Sequence, residues 1–528
     1  MIPILYEDDH LLVINKPAGL NTHSPSPFAG EGIYEWLKNR EPRWAELAIL
    51  HRLDKETSGA IVFGKTTLAN RSLTEQFATR TVLKKYLLAT DRRVAFTHFT
   101  AESSLVRSGE KYLSRPVHVG GENSQTHFKK IKEDGSGRTF VEAEPVTGRT
   151  HQIRVHAASH GFPILGDTIY GGTNAPRLFL HAAELSVLHP VTGERMVFSA
   201  PHKFLDDSRL ALRTDLIESD VTDAFRLIHG ASDFQPGWFV DRLGDFLLSQ
   251  SDAEVTQIQR ALLEKIAAKF SLRGVYHKIL NRQIQRTNAN VSPQLVSGEA
   301  ASEFFMVREN GIQFSLSFIE GYSVGLFLDQ RENRRRLLTN YVAPKFFLPA
   351  KLEERQEVLN TFAYTCAFSL CAAKNGAKVK SLDLSKKYLE WGKRNFILNG
   401  LDPDAHEFIY GDAFDWMKRL TKKERRFDLI ILDPPTFSQS KEHGKFQAEK
   451  DYGNLIASAL PLLKNEGVLL ASTNAANLKP ELFLEIVHAS VARAKRKIIQ
   501  QHYAPQPIDF PVSREEPAYL KTVWLKIA

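Results

Sequence analysis

Sulfur is scarce in this chain: 528 residues include only two cysteines and four methionines. The cysteines, Cys366 and Cys371, are too few for a disulfide framework or a zinc site, and a reducing cytoplasm is the simplest home. No metal is expected. Apolar runs of membrane length, about 20 residues, are missing. The apolar start, Met1 to Leu5, runs into Glu7, Asp8 and Asp9 without a basic leader, so neither a signal peptide nor a transmembrane helix is expected. Charge of one sign does not dominate either, with 69 Lys and Arg against 61 acids. The net +8 and a pI near 9.1 favour a polyanionic partner. What the chain does have is apolar mass, 43% of its residues, enough to fill the cores of roughly three or four domains.

The string His51-Arg52-Leu53-Asp54-Lys55-Glu56-Thr57-Ser58-Gly59 places a carboxylate in a polar loop just ahead of an apolar strand, Ala60-Ile61-Val62-Phe63. A nucleophilic Asp belongs in such a place, although Asp54 could equally pair with Arg52 or cap a turn. Asn15-Lys16-Pro17-Ala18-Gly19-Leu20 lies upstream, with Gly148-Arg149-Thr150-His151-Gln152-Ile153-Arg154-Val155-His156 and Ile164-Leu165-Gly166-Asp167 downstream. Together these strings resemble the RluA family of pseudouridine synthases, over about Ile4 to Phe204. Tyr86, in Lys84-Lys85-Tyr86-Leu87, fills that family's tyrosine position.

The resemblance implies isomerisation of uridine to pseudouridine with no cofactor. Asp54 would attack a flipped nucleotide, so that the glycosidic bond breaks and re-forms at C5 of the base. Arg154, on a helix expected to start near Thr150, would pair with Asp54 and keep it ionised; the alternative is an exposed helix cation. Tyr86 would stack on the base, or else be an ordinary strand aromatic. Arg52 would fill the gap left in the RNA stack.

A charged, poorly periodic stretch from Phe204 to Thr222 has the composition of a linker. Beyond it, Arg226-Leu227-Ile228-His229 and Trp238-Phe239-Val240-Asp241 read as strands, Asp252 to Phe270 as an amphipathic helix, and Gly274-Val275-Tyr276 and Gln313-Phe314-Ser315-Leu316 as further strands. With Phe225, Gly230, Gly237 and Arg242, these strings look like the middle domain of large-subunit ribosomal RNA methyltransferases. Docking of RNA and a plain structural spacer are both open readings.

From Gly321 the chain alternates short apolar strands with helices, the pattern of a doubly wound sheet. Val358 to Phe362 is the first strand and Ala363-Tyr364-Thr365-Cys366-Ala367-Phe368 the loop where a nucleotide-like cofactor should lie. Asp383 ends the second strand, placed for ribose hydroxyls. Asp412 ends the third, near an adenine. Each aspartate alone could instead cap a helix. The fourth strand, Phe427 to Leu432, delivers Asp433-Pro434-Pro435-Thr436-Phe437-Ser438. There the prolines stiffen the turn, Asp433 can accept base N–H groups and Phe437 offers a stacking face.

Together with Gly325-Leu326-Phe327-Leu328-Asp329-Gln330-Arg331, Asp383-Leu384-Ser385 and Tyr388-Leu389-Glu390-Trp391, this half resembles the RlmK-type guanine-N7 methyltransferases of 23S ribosomal RNA. The resemblance implies S-adenosylmethionine as methyl donor, bound by Asp329, Arg331, Phe362, Tyr364, Thr365, Cys366, Ala367, Asp383 and Asp412, with Arg331 on its carboxylate. The first-strand loop departs from the pattern in carrying Cys366 and Ala367 where glycines are usual. A rival within the fold is 5-methylcytosine formation, which needs a thiolate at the base. Ser472-Thr473-Asn474-Ala475 offers none, and both cysteines sit at the cofactor loop.

The expected architecture is multidomain α/β. It comprises an α+β mixed-sheet synthase over residues 1–205, a linker over 206–221, a small α/β middle domain over 222–320 and a Rossmann-like class I methyltransferase over 321–528. The expected partner is RNA, 23S ribosomal RNA foremost, with transfer RNA open for the synthase half. Other readings are that one half only binds RNA for the other, or that the methyl goes to DNA or protein.

Overall fold

The computed structural model describes residues 2–30, 32–202, 204, 208–280, 292–319, 323–349, 355–440 and 444–528. The chain divides into two compact units, residues 1–25 with 31–217, and residues 26–30 with 218–528. Among the described residues no helix is long and apolar enough to cross a membrane.

The first unit is built on a mixed sheet of eleven strands. An interior strand, Ser58–Gly64, is buried along its whole length and directly follows the Asp54 loop. Leu11–Lys16 pairs antiparallel on one side; Leu180–Leu188 pairs parallel on the other, meeting it only at Ser58 and Gly59. That short meeting needs a glycine. A Cβ on Gly59, whose φ is +124°, would fall 2.3 Å from the Ala182 carbonyl oxygen. Leu83–Thr90 lies beyond, with Tyr86 opposite Ala182 on one neighbour and Ala143 on the other. Alanines on both sides leave room for the ring on the sheet face. The helix Gln152–Ser159 carries Arg154.

Part of the segment expected as a linker is helical. Ser208–Leu216 forms a helix because Leu212 and Leu216, one turn apart, are both buried, followed by Ile217.

In the second unit a five-stranded sheet, Ala224–His229, Trp238–Leu243, Phe246–Ser251, Gly274–Ile279 and Gln294–Gly298, is crossed by the helix Gln257–Lys269. Thr256 and Gln259 close that helix's N-terminus reciprocally as a capping box. The hairpin Phe305–Glu309 and Ile312–Leu316 follows. Three of these strands, Phe246–Ser251, Gln294–Gly298 and Phe305–Glu309, were not anticipated, since serines, glutamines and charges interrupt their apolar pattern.

A seven-stranded sheet completes the unit in the order Glu407–Tyr410, Lys378–Asp383, Glu357–Thr361, Phe427–Leu432, Leu463–Thr473, Lys521–Ile527 and Ile498–Tyr503. The first five run parallel, Lys521–Ile527 runs antiparallel to them, and Ile498–Tyr503 pairs antiparallel with Lys521–Ile527. Chain order reverses between Glu357–Thr361 and Phe427–Leu432, and ligands bind such sheets outside the carboxyl ends of the strands at that point. Residues of both sheets and the hairpin share one apolar cluster, with Phe246, Phe305 and Phe318 joined to Leu328, Phe368 and Val379.

The hairpin is also fixed by charge. Arg334, 2% exposed, forks onto Glu309, 1% exposed, through two 2.7 Å hydrogen bonds. Glu309→Ala would leave that guanidinium buried without its carboxylate. Denaturant unfolding of the full chain should then show a loss of about 3–5 kcal/mol. A loss below about 1 kcal/mol would mean that the pair does not hold the hairpin to the helix Arg331–Thr339 that carries Arg334.

Candidate functional site

The first unit contains a cleft of about 920 Å³ lined by Asp54, Tyr86, His151 and Arg154, with Arg52 exposed at its wall. The loop bearing Asp54 is pinned from beneath. Buried Lys16 donates from Nζ to the carbonyls of Pro17 at 2.8 Å, Leu20 at 2.7 Å and Lys55 at 3.2 Å. Burial draws this ammonium down to about 7. The Thr22 hydroxyl donates to the Leu53 carbonyl at 2.8 Å and accepts from the Leu53 amide at 3.1 Å. The Asn-Lys-Pro and His-Arg-Leu-Asp motifs therefore form one pinned structure.

Arg154 reaches the same place from its helix. It is 6% exposed, and Nε and Nη2 fork onto Asp167 at 2.7 and 2.8 Å. The remaining nitrogen, Nη1, lies 3.6 Å from Asp54 Oδ2, an ion-pair distance. His151 Nε2 lies 3.9 Å from the same oxygen. The ring of Tyr170 packs under the guanidinium at 5.1 Å, and its hydroxyl is 2.8 Å from His151 Nδ1. Burial holds His151 below its usual range. Burial, and then the charge of Asp54, push the Tyr86 phenol up, so it stays neutral. Asp54 thus meets Arg154 and His151, while Arg52 stays in solvent. Asp167 ends the Ile164 to Asp167 string with no local pattern to announce its bond to Arg154, and His151 and Tyr170 likewise come together only in the fold.

In the second unit the carboxyl ends of the parallel strands gather the expected aspartates. Asp383 takes the Tyr364 amide on Oδ2 and the Ser385 amide on Oδ1, both at 2.8 Å, which leaves one lone pair per oxygen facing outward chemistry. Burial raises its pKa. Asp412 caps the helix Ala413–Lys422, with Oδ1 accepting from Phe414 at 2.9 Å and Asp415 at 3.2 Å, so the helix-cap reading holds for this residue. On the other side of Asp383, after the strand Glu357–Thr361, runs a loop with three non-glycine residues at positive φ: Phe362 at +56°, Tyr364 at +50° and Cys366 at +61°. Tyr364 packs on Phe327, whose ring is 49% exposed, and on Tyr388.

Several residues expected at the cofactor are occupied otherwise. Arg331 is buried and its guanidinium forks onto Asp509 at 2.8 and 2.5 Å, so it is not presented to a ligand carboxylate. Asp509 also accepts the Arg226 amide at 3.0 Å, fastening the five-stranded sheet to the same helix. Thr365 and Cys366 are fully buried; the Thr365 hydroxyl donates to the Gly325 carbonyl at 2.7 Å, so both side chains shape the loop from behind. Asp329 accepts from the Tyr519 hydroxyl at 2.9 Å.

Asp433 sits beside these groups. Gln330, 3% exposed, donates from Nε2 to Asp433 Oδ2 at 3.1 Å and to the Ser472 hydroxyl at 2.8 Å. Burial first, and then the charge of Asp329, push Asp433 up to about 7. Pro434 is buried and Pro435 exposed. Phe437 begins the strand Phe437–Ser440, paired with Gly444–Gln447; its side chain and Lys441 lie outside the described residues. Among the described residues no cluster of three or more His, Cys, Asp or Glu is arranged to hold a metal ion.

Residues 10–159 match the RNA pseudouridylate synthase family, and residues 231–522 match the S-adenosylmethionine-dependent methyltransferase family. A ribosomal RNA large subunit methyltransferase of Deinococcus radiodurans is 34% identical over 327 residues, 60% of this chain and 76% of that protein. A ribosomal large subunit pseudouridine synthase C of Yersinia pestis is 43% identical over 212 residues, 38% of this chain and 65% of that protein. A provisionally assigned methyltransferase solved in complex with SAH aligns at a TM-score of 0.52 and 27% identity, covering 71% of this chain and 98% of its own.

Both thiols are buried behind the loop, and burial raises both pKa values, so neither is a thiolate at neutral pH. Native chain treated with iodoacetamide at pH 8 should therefore be alkylated at Cys366 and Cys371 at least about a hundredfold more slowly than unfolded chain. Mass-spectrometric labelling at comparable rates would place a thiol at the surface.

Proposed function

The chain belongs to the S-adenosylmethionine-dependent methyltransferase family, with an RNA pseudouridylate synthase domain ahead of the methyltransferase; we propose that it modifies large-subunit ribosomal RNA twice, isomerising a uridine and methylating guanine N7. We take residues 1–205 as the synthase, 206–221 as its connection, 222–320 as the middle domain and 321–528 as the methyltransferase. The observation that carries the first activity is the aimed nitrogen of Arg154, which its fork on Asp167 holds beside Asp54 in the cleft that Tyr86 shares.

In the synthase half, Arg154 sits 3.6 Å from the Asp54 carboxylate and holds it in place as the nucleophile. Asp54 bonds to the extruded nucleotide, the N1 glycosidic bond breaks, and the base turns and rejoins the ribose through C5 with release of the Asp54 carboxylate; the C5 proton is lost and N1 takes one up, so the product is an isomer of uridine. Tyr86, a neutral phenol, gives the base a flat face, and Arg52 stands in for it in the RNA stack. None of these residues calls for a cofactor.

In the methyltransferase half the residues fit S-adenosylmethionine. Asp383 has free lone pairs for ribose hydroxyls, Tyr364 and Phe327 offer flat apolar faces, and Asp412 lies at the neighbouring strand end. Bound there, the donor supplies an electrophilic methyl group. The chain's own task is to position the base: Asp433 accepts its N–H groups, Pro434 and Pro435 stiffen that turn, and Phe437 stacks. Two buried, protonated thiols argue against the covalent route to cytosine C5, whereas guanine N7 carries a lone pair and needs no nucleophile.

Asp54→Asn should abolish pseudouridine formation while leaving methylation intact, because an amide cannot replace a carboxylate nucleophile. The check is to map both modifications in ribosomal RNA from cells with and without the chain, and with the variant. Cleavage by borohydride and aniline reads out N7-methylguanosine. Normal pseudouridine yield from the variant, or 5-methylcytidine as the methylated product, would overturn the respective assignment.

Asp433 also sets a pH profile. Only the ionised form offers both oxygens to base N–H groups, and its pKa is raised to about 7. Methyl transfer should therefore climb as pH rises through about 7, level off above it, and fall roughly tenfold per unit well below it. A flat profile through that range, with saturating donor and RNA, would remove Asp433 from base recognition.

A further inference from the structure

Two lysines precede Tyr86 on the strand Leu83–Thr90, and alternation sends them to opposite faces. Lys85 leaves the cleft and pairs with Glu184 at 3.3 Å. Lys84 points the way Tyr86 does, about 7 Å further along the strand, and lines the cleft with Asp54, Tyr86 and Arg154.

The Lys84 ammonium has no carboxylate partner among the described residues. It lies 5.8 Å from the centroid of the Phe77 ring. His51 stacks on that same ring at 4.7 Å and uses Nε2 to accept the Val62 amide at 3.1 Å. Burial, and then Lys84 itself, draw His51 down to about 3, so the imidazole stays uncharged. Opposite, a Cβ built on Gly148 would stand 3.5 Å from Nζ; a glycine there leaves that side of the ammonium open to the cleft. Burial lowers the pKa of Lys84, which means that the site disfavours the charge it holds until an anion arrives. The cleft's other Lys and Arg side chains are already committed or outside: Arg154 forks onto Asp167, Arg149 pairs with Glu122 at 2.9 Å, and Arg52, Lys55 and Arg80 are exposed.

We propose that Lys84 binds the phosphodiester flanking the nucleotide whose base lies on Tyr86, and so sets the register of the strand in the cleft. The assignment rests on the synthase reading of that cleft. Its chemistry is that of a point-charge phosphate ligand at one fixed place, distinct from the diffuse attraction of a net +8 chain for RNA.

The test is the salt dependence of pseudouridine formation by the full chain on an unmodified large-subunit ribosomal RNA transcript. Each phosphate contact to a single strand contributes a slope of about −0.7 in log kcat/KM against log salt concentration. Lys84→Met should weaken that slope by about 0.7 and lower kcat/KM about tenfold or more at low salt, chiefly through KM. Lys84→Arg should recover the wild-type slope, because it restores the cation, and Lys85→Met should keep it. A Lys84→Met slope equal to wild type, in a chain with an unaltered melting profile, overturns the assignment and leaves the synthase reading intact. Loss of activity in Lys84→Arg with wild-type salt slope would likewise assign Lys84 to packing of the cleft wall. A wild-type chain that forms no pseudouridine on this transcript overturns the synthase reading on this substrate, and the phosphate assignment with it.

Discussion

Arginine forked onto a buried carboxylate is the interaction on which both functional edges depend. In the first unit the fork of Arg154 on Asp167 fixes two of three guanidinium nitrogens, and the third is thereby aimed at Asp54. Without the fork, a long side chain with about 2 kcal/mol of rotamer entropy would have to be ordered by the Asp54 pair alone, at 3.6 Å. In the second unit the helix Arg331–Thr339 is anchored by Arg331 on Asp509 and by Arg334 on Glu309. That helix follows directly on Asp329 and Gln330, and Gln330 holds Asp433. Planar, always-charged guanidinium suits this task where lysine would not, because two parallel bonds set direction as well as distance.

The same forks show where sequence reading succeeds and fails. The places of Asp54, Tyr86 and Arg154 in one cleft and of Asp383 and Asp433 at the strand ends were legible because each sits in a recognisable local string beside or within a short apolar run. Arg331 misled for a physical reason. The resemblance puts this cation on a ligand carboxylate, while the carboxylate that occupies it stands 178 residues later in the chain. Pairing across such a separation leaves no periodic trace. The helix Ser208–Leu216 was hidden by its shortness, with two buried leucines among charges, and the strand Gln294–Gly298 by its polarity.

The motif strings of the five-stranded sheet resolve in the same way. Between RNA docking and a structural spacer, Arg226 speaks for structure: it forks onto Asp241 at 2.5 and 3.2 Å and lies between the rings of Phe239 and Phe510. Its backbone amide bonds Asp509, which also takes Arg331. Residues Phe225 to Arg242 therefore build the support for the helix that positions Gln330. The sheet is thus coupled to Asp433 by packing, whatever its outer face contacts.

The departure at the donor loop has a similar explanation. Positive φ at three non-glycine residues in five costs of order 1–3 kcal/mol each unless the surroundings over-determine it. Here they do: Asp383 holds the Tyr364 amide, Asn395 donates to the Thr365 carbonyl at 3.2 Å, and the Thr365 hydroxyl is tied to Gly325. The bulk of Cys366 is matched by a glycine on the facing helix, Lys386–Leu398. A Cβ on Gly392 would stand 2.4 Å from the Cys366 sulfur, so the helix yields the space that the loop fills. Glycines in the loop would reach the same backbone with less strain but more freedom to lose on folding. A cysteine locked against a helical glycine makes the loop rigid before any ligand arrives. Preorganisation of that kind lowers the ordering cost of binding a ligand against this loop.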